Sequence, residues 1–197
     1  MDDERFSDRL EAWFLSDDEK TVDGLTEVFG PKAFAVAFGI LMALPALPLP
    51  TGGLTHVFEI IVMLLALEMI VGRTTPWLPQ RLARRELPSG EKVANQITKR
   101  IRWFEKFTRK RFPHAVGSRG ARPLIGLAVL VLTIAAFVAP PFTGLDTLPA
   151  MGVVLISLSM IFEDVALLVA GALVGSAGVG LEIVLGKATF DAALHLF

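Results

Sequence analysis

Apolar and polar positions fall in blocks along this chain, and each block predicts a different element. Phe6, Leu10, Trp13 and Phe14 recur at helical spacing in an acidic stretch, predicting an amphipathic helix over residues 4–15. Val22, Leu25, Val28 and Phe29 predict a second short helix, stopped by Gly30-Pro31. Beyond residue 32 the polar face disappears. Ala33–Leu44 is a short apolar run, Leu54–Gly72 a longer one, and the pair returns as Leu124–Ala139 and Leu148–Phe162. A last run, Val165–Leu185, carries Gly171-xxx-Gly175, then Ser176, Gly178 and Gly180, small residues that let helices pack closely in lipid. The closing GKATFDAALHLF reads as a short interfacial helix.

The two apolar pairs align at a constant offset of 91 residues. Ala35–Pro50 falls on Gly126–Pro141, and the match continues through Gly53/Gly144, Leu54/Leu145, Leu64/Leu155, Met69/Met160 and Ile70/Ile161. Shared Pro and Gly positions make this an internal repeat of a short segment, a break and a longer segment, a plan on which transport folds are built. The first break, PALPLPTGG, places Pro at 45, 48 and 50, and proline cannot continue a helix there. The twelve residues Ala33–Leu44 reach about 18 Å as a helix, roughly half of a hydrocarbon core. Two arrangements remain. Ala33–Leu49 spans with an extended end and PTGG is an outside turn, giving parallel repeats. Otherwise the segment is re-entrant with its break at membrane depth, giving inverted repeats around a cavity. The re-entrant arrangement is the expectation.

Composition supports a membrane setting. Of 197 residues 53% are hydrophobic, with mean hydropathy +0.57, and a bilayer-spanning helix needs about 20 apolar residues. No cysteine is present, which excludes disulfides, thiolate metal sites and thiol nucleophiles. The acidic start MDDERFSDRLEAWF does not resemble a cleavable signal. Charge is near balance overall but segregated. Residues 1–32 carry ten Asp/Glu against four Lys/Arg, whereas 73–123 carry fourteen Lys/Arg against Glu86, Glu91 and Glu105. By the positive-inside rule the central segment is cytoplasmic. Within it, Val93, Ile97, Ile101, Phe104 and Phe107 form an apolar stripe flanked by Lys and Arg, a helix suited to anionic headgroups. The lipid surface accounts for that charge, so nucleic acid is not an expected partner.

Candidate chemistry rests on ionisable residues inside apolar runs, which are costly there and mark function. His56, Glu59 and Glu68 lie in the first long run, Glu163-Asp164 closes its counterpart, and Glu182 lies deep in the last. Glu59 is about one and a half turns past Gly53. The helix starts after Thr51-Gly52-Gly53 and Thr143-Gly144 carry partial positive charge suited to an anionic substrate. The substrate-binding set is therefore His56, Glu59, Thr51, Gly52, Gly53, Thr143, Gly144 and Arg73. Arg81, Arg84 and Arg85 form a headgroup-binding cluster. The three histidines are scattered without metal-ligand spacing, and no nucleophile elbow, phosphate loop or dinucleotide fingerprint occurs. Neither metal, cofactor nor enzymatic activity is expected.

From about Thr21 to Leu185 the chain resembles the ExoD family of bacterial inner-membrane proteins. The carriers are ALPALPLPTGGLTHVFEIIVMLLALEMIVGR, the GRTTPWLPQRLARREL block that follows, and IRWFEKFTRKRFP. The resemblance implies a multi-pass inner-membrane protein linked to exopolysaccharide synthesis. Combined with the repeat, it leads to the expectation of a small transporter or flippase-like protein for an anionic or lipid-linked substrate. The alternative is a non-catalytic scaffold of a polysaccharide-synthesis complex. Expected partners are anionic lipid headgroups, polysaccharide-synthesis proteins and a second copy of the chain. The expected organisation is an acidic amphipathic region (1–32), membrane repeat one (33–72), a basic cytoplasmic linker (73–123), membrane repeat two (124–164), and a final membrane helix with its tail (165–197).

Overall fold

The computed structural model describes residues 6–16, 20–47, 54–77, 95–96, 98–103, 116, 118, 120–139 and 144–194. Seven α-helices account for most of them: α1 (Phe6–Leu15), α2 (Val22–Phe29), α3 (Ala33–Ala43), α4 (Leu54–Ile70), α5 (Ala121–Val138), α6 (Thr147–Phe162) and α7 (Val165–Leu194). No strand occurs among the described residues. The N-terminal stripe buries as its spacing requires, with Leu10, Trp13 and Phe14 inside and the Phe6 ring against Phe29 and Phe162. Thr21 caps α2 by accepting a hydrogen bond from the Gly24 N–H at 3.2 Å. Gly30, at φ +50, ends α2, and Pro31 opens a single 3-10 turn that runs straight into α3.

α3 has no polar face, and a helix apolar all round must be enclosed. Phe34, Ala35, Val36, Ala37, Phe38, Ile40, Leu41 and Met42 are accordingly buried, with α3 lying against α6, α4 and α2. The remaining contacts run chiefly α4 to α5, α5 to α6, and α6 to α7. Side-chain neighbours fix directions. Gly126 early in α5 lies against Ala66 and Ile70 late in α4, and His56 early in α4 meets Phe137 late in α5. Lys32 just before α3 donates to the Ile161 carbonyl at 2.9 Å, while Gly39 faces Ser157. On α7, Gly175 touches both Gly152 of α6 and Leu132 of α5, so α5, α6 and α7 overlap side by side. The pairs α4 with α5, α3 with α6 and α6 with α7 therefore run antiparallel, and the starts of α4 and α6 lie at one end of the bundle. The breaks themselves, residues 48–53 and 140–143, lie outside the described residues.

Two helices, Ala121–Val138 and Val165–Leu185, are long and apolar enough to cross a membrane. On α5, Leu124, Leu127, Val131, Ile134 and Val138 form an outward stripe, each 44–72% exposed, at the i, i+3, i+4 spacing of one helix face. An apolar outer surface of this kind suits lipid. α7 runs on to Leu194 as one helix, where the sequence suggested a separate short one. Its seam with α6 is backbone against backbone: a Cβ placed on Gly152 would stand 2.7 Å from the Gly175 Cα. The turn between them is held by Glu163 at φ 57, with Lys32 reaching its carboxylate at 3.9 Å.

Candidate functional site

At the end where α4 and α6 begin, four ionisable side chains converge. His56 and Glu59 share one face of α4 at i, i+3, and a 2.7 Å hydrogen bond joins His56 Nδ1 to Glu59 Oε2. The Glu59 side chain is 0% exposed, while that of His56 is 37% exposed. Glu59 Oε1 has no hydrogen-bond partner among the described residues. The imidazole lies against the Phe137 ring at 4.9 Å, which fixes its plane. Asp146, immediately before α6, is close enough to His56 and Glu59 for their charges to be felt. Burial pushes the Asp146 carboxyl up from its ordinary value, against hydrogen bonds from the Asp146 and Thr147 N–H groups and the charge of His56. Glu182 of α7 senses Asp146 in turn, and both its Oε1 and Thr147 Oγ1 are buried without a partner among the described residues. Three buried oxygens are thus left unsatisfied near one end of an apolar bundle.

The other end is built differently. Beyond α4, Gly72 at φ +91 turns the chain, and Glu68 Oε2 accepts a hydrogen bond from the Trp77 N–H at 2.6 Å. Arg73 is exposed and lies over the Trp77 ring at 5.1 Å. From His56 to the end of α4 at Ile70 the helix rises about 21 Å, so Arg73 does not join His56 and Glu59. Nearby, Arg102 bonds Glu11 at 2.6 Å and Asp8 at 3.2 Å, tying the basic linker to the acidic helix α1. A cavity of about 280 Å³ lies between α1, α3, α6 and residues 100–101. Its lining is mostly apolar, including Phe6, Leu10, Ile40 and Leu158, with Arg100 the one charged residue among the described residues that line it. Neither His56 nor Glu59 lines it.

Of the sequence-derived set, His56 and Glu59 are brought together. Gly144 is exposed at φ +71 just before Asp146, at the same end. Thr51, Gly52, Gly53, Thr143 and the Arg81, Arg84, Arg85 cluster lie outside the described residues. Asp146, Thr147 and Phe137 were not singled out from sequence. A signal existed for two of them: at the 91-residue offset Thr55-His56 falls on Asp146-Thr147, so both polar pairs open a long apolar helix.

An all-helical bundle that turns apolar side chains outward and shields a few ionisable ones inside is a class of protein compatible with the membrane. The family model described as "Exopolysaccharide synthesis, ExoD" matches residues 6–184, a span that includes α1 to α6 and most of α7. The chain belongs to the ExoD family, which links it to exopolysaccharide synthesis. An uncharacterized protein of Synechocystis sp. is 26% identical over 186 residues, covering 91% of this chain and 86% of that relative. No solved structure matches.

Proposed function

We propose that this protein is a small multi-pass inner-membrane transporter, flippase-like in action, for an anionic lipid-linked intermediate of exopolysaccharide synthesis. It carries no enzymatic step of its own in this reading. The observation that carries the proposal is the enclosed His56–Glu59 pair, with Glu182 and Asp146 beside it. Acids inside an apolar bundle cost several kcal/mol and are retained where ions or substrates pass. The near-wholly apolar groove with Arg100 on its wall suits a long hydrocarbon chain ending in a phosphate, which Arg binds well. Arg73 and the basic linker would gather such headgroups at the cytoplasmic face, the side the positive-inside rule assigns to them.

The two-repeat architecture belongs to the same proposal. Exchanging the repeats maps α3 on α5 and α4 on α6. The α3–α6 packing then maps on α5–α4, and α3–α4 on α5–α6, all four of which are present. The directions favour two spanning hairpins with both breaks on the non-cytoplasmic side, in place of the re-entrant plan. The test is lipid movement in proteoliposomes holding a fluorescent polyprenyl phosphate. Purified protein should speed loss of inner-leaflet protection from a membrane-impermeant quencher. Glu59→Gln should abolish that gain while the protein still inserts, and Arg100→Ala should weaken it. Movement no faster than in empty vesicles, with full polysaccharide output from Glu59→Gln cells, would reject transport in favour of the scaffold.

A further inference from the structure

The cluster at the start of α4 poses a problem for an anionic substrate, because three carboxylates face its path and only His56 can offset them. The groups presented to Glu59 can be followed element by element. α4 supplies His56, the α6 start supplies Asp146 and Thr147, and α7 adds Glu182 behind Asp146. α5 presents the Phe137 ring, and its buried Thr133 hydroxyl is already committed to the Val129 carbonyl. α3, AFAVAFGILMA, contains no titratable group. No Lys or Arg is among these neighbours, so nothing fixed in the described structure neutralises Glu59. Among the described residues, no three His, Asp or Glu are arranged to hold a metal ion. A hydrogen ion is the smallest charge that would neutralise Glu59 there.

We infer that Glu59 is an exchangeable proton-binding site loaded through His56, and that the proton is the coupling ion of the carrier. The second half rests on the transport reading; the first does not. The geometry fits a relay. His56 is partly exposed while Glu59 is not, so solvent reaches the imidazole before the carboxylate. A proton taken from water at Nε2 gives an imidazolium whose Nδ1–H already points along the 2.7 Å bond to Glu59 Oε2. Transfer along that bond leaves neutral Glu59 and neutral His56 in the opposite tautomer, with proton and charge balanced. Neutral Glu59 then donates its Oε2–H back to the bare Nδ1 of His56, so the same 2.7 Å contact persists with the proton on its other side. Loading also removes one negative charge from the cluster, which lowers the repulsion an anionic headgroup meets. Substrate and proton are thereby linked without direct contact.

The experiment is pH-difference infrared spectroscopy of the full chain in liposomes, run beside the fluorescent polyprenyl phosphate assay with and without an imposed pH gradient. Wild type should show a carboxylic-acid carbonyl band that grows on acidification and is lost on alkalinisation. Glu59→Gln should lose it, Glu59→Asp should displace it, and His56→Phe should shift its midpoint. Thermal unfolding identifies a Gln variant that has failed to fold, and the Asp variant then decides. Absence of any Glu59-dependent band overturns the proton site, whatever the lipid does. A band present with lipid movement indifferent to the gradient overturns coupling alone. A band present with no lipid movement overturns transport and leaves the proton site standing.

Discussion

The two ends of the bundle hold carboxylates in opposite circumstances. At the linker end, Asp8 and Glu11 meet Arg102 with all three side chains 38–47% exposed. Water screens such a pair, and its formation adds little to stability. At the other end, Glu59 is sealed from solvent with one oxygen bonded to His56 and the other to nothing described. Removing water raises the consequence of every missing bond. The same side-chain chemistry therefore fastens two segments in one place and stores an unsatisfied group in the other. Structural acids in this molecule have ready partners: Glu11 has Arg102, Glu68 the Trp77 amide, Glu163 Lys32. Glu59 has His56 on one buried oxygen and nothing described on the other, and the buried Oε1 of Glu182 has no described partner.

The broadest way to break the comparison is to ask whether the two ends are on opposite sides of a membrane at all. Cysteines at Ser118, just before α5, and Leu145, just before α6, should react with an impermeant maleimide from opposite faces of inverted and right-side-out vesicles. The effect is all or none. Reaction of both from one face would mean that α5 does not span.

Next comes the energetic contrast. His56→Ala strips the buried carboxylate of its one described partner and should destabilise the protein in detergent by about 1–3 kcal/mol. In the double variant His56→Ala with Glu59→Leu, most of that loss should return, since an apolar replacement of both partners removes the unsatisfied group. Thermal unfolding of the four members of the cycle measures it. A double variant no better than His56→Ala would show that the imidazole matters by packing on Phe137 and not by its bond.

The smallest effect is expected at the linker end. Arg102→Ala should leave the unfolding temperature nearly unchanged, and any difference seen at low salt should vanish at high salt. A salt-resistant loss comparable to that of His56→Ala would erase the distinction between the ends.

Much of the helical plan was legible in sequence. The Phe6, Leu10, Trp13, Phe14 stripe, the Gly30-Pro31 stop and the faceless apolar α3 each carry their own physical signal, and each buries or ends as that signal requires. Helix direction was not legible, because a Pro/Gly break tells where a helix stops and not which neighbour lies beside it. Only the lateral contacts of Gly126, Gly39 and Gly175 decide that. The site divides the same way. His56 and Glu59 are three residues apart on one helix, so local geometry alone pairs them. Asp146 and Glu182 arrive from other helices, and no local spacing announces them. Arg73 was grouped with His56 although most of the length of α4 already separates the two.

The bond between Arg102 and Asp8 joins positions 94 residues apart. At a synthesis rate of about 5–20 residues per second, about 5–20 s pass between the two residues leaving the ribosome. During that interval α1 exists without its cationic clasp, while the residues of α3 and α4 are already made. Helix α1 is therefore made long before the residue that fastens it. Its closure onto the linker comes after α3 and α4 have been made and before α5, α6 and α7 have.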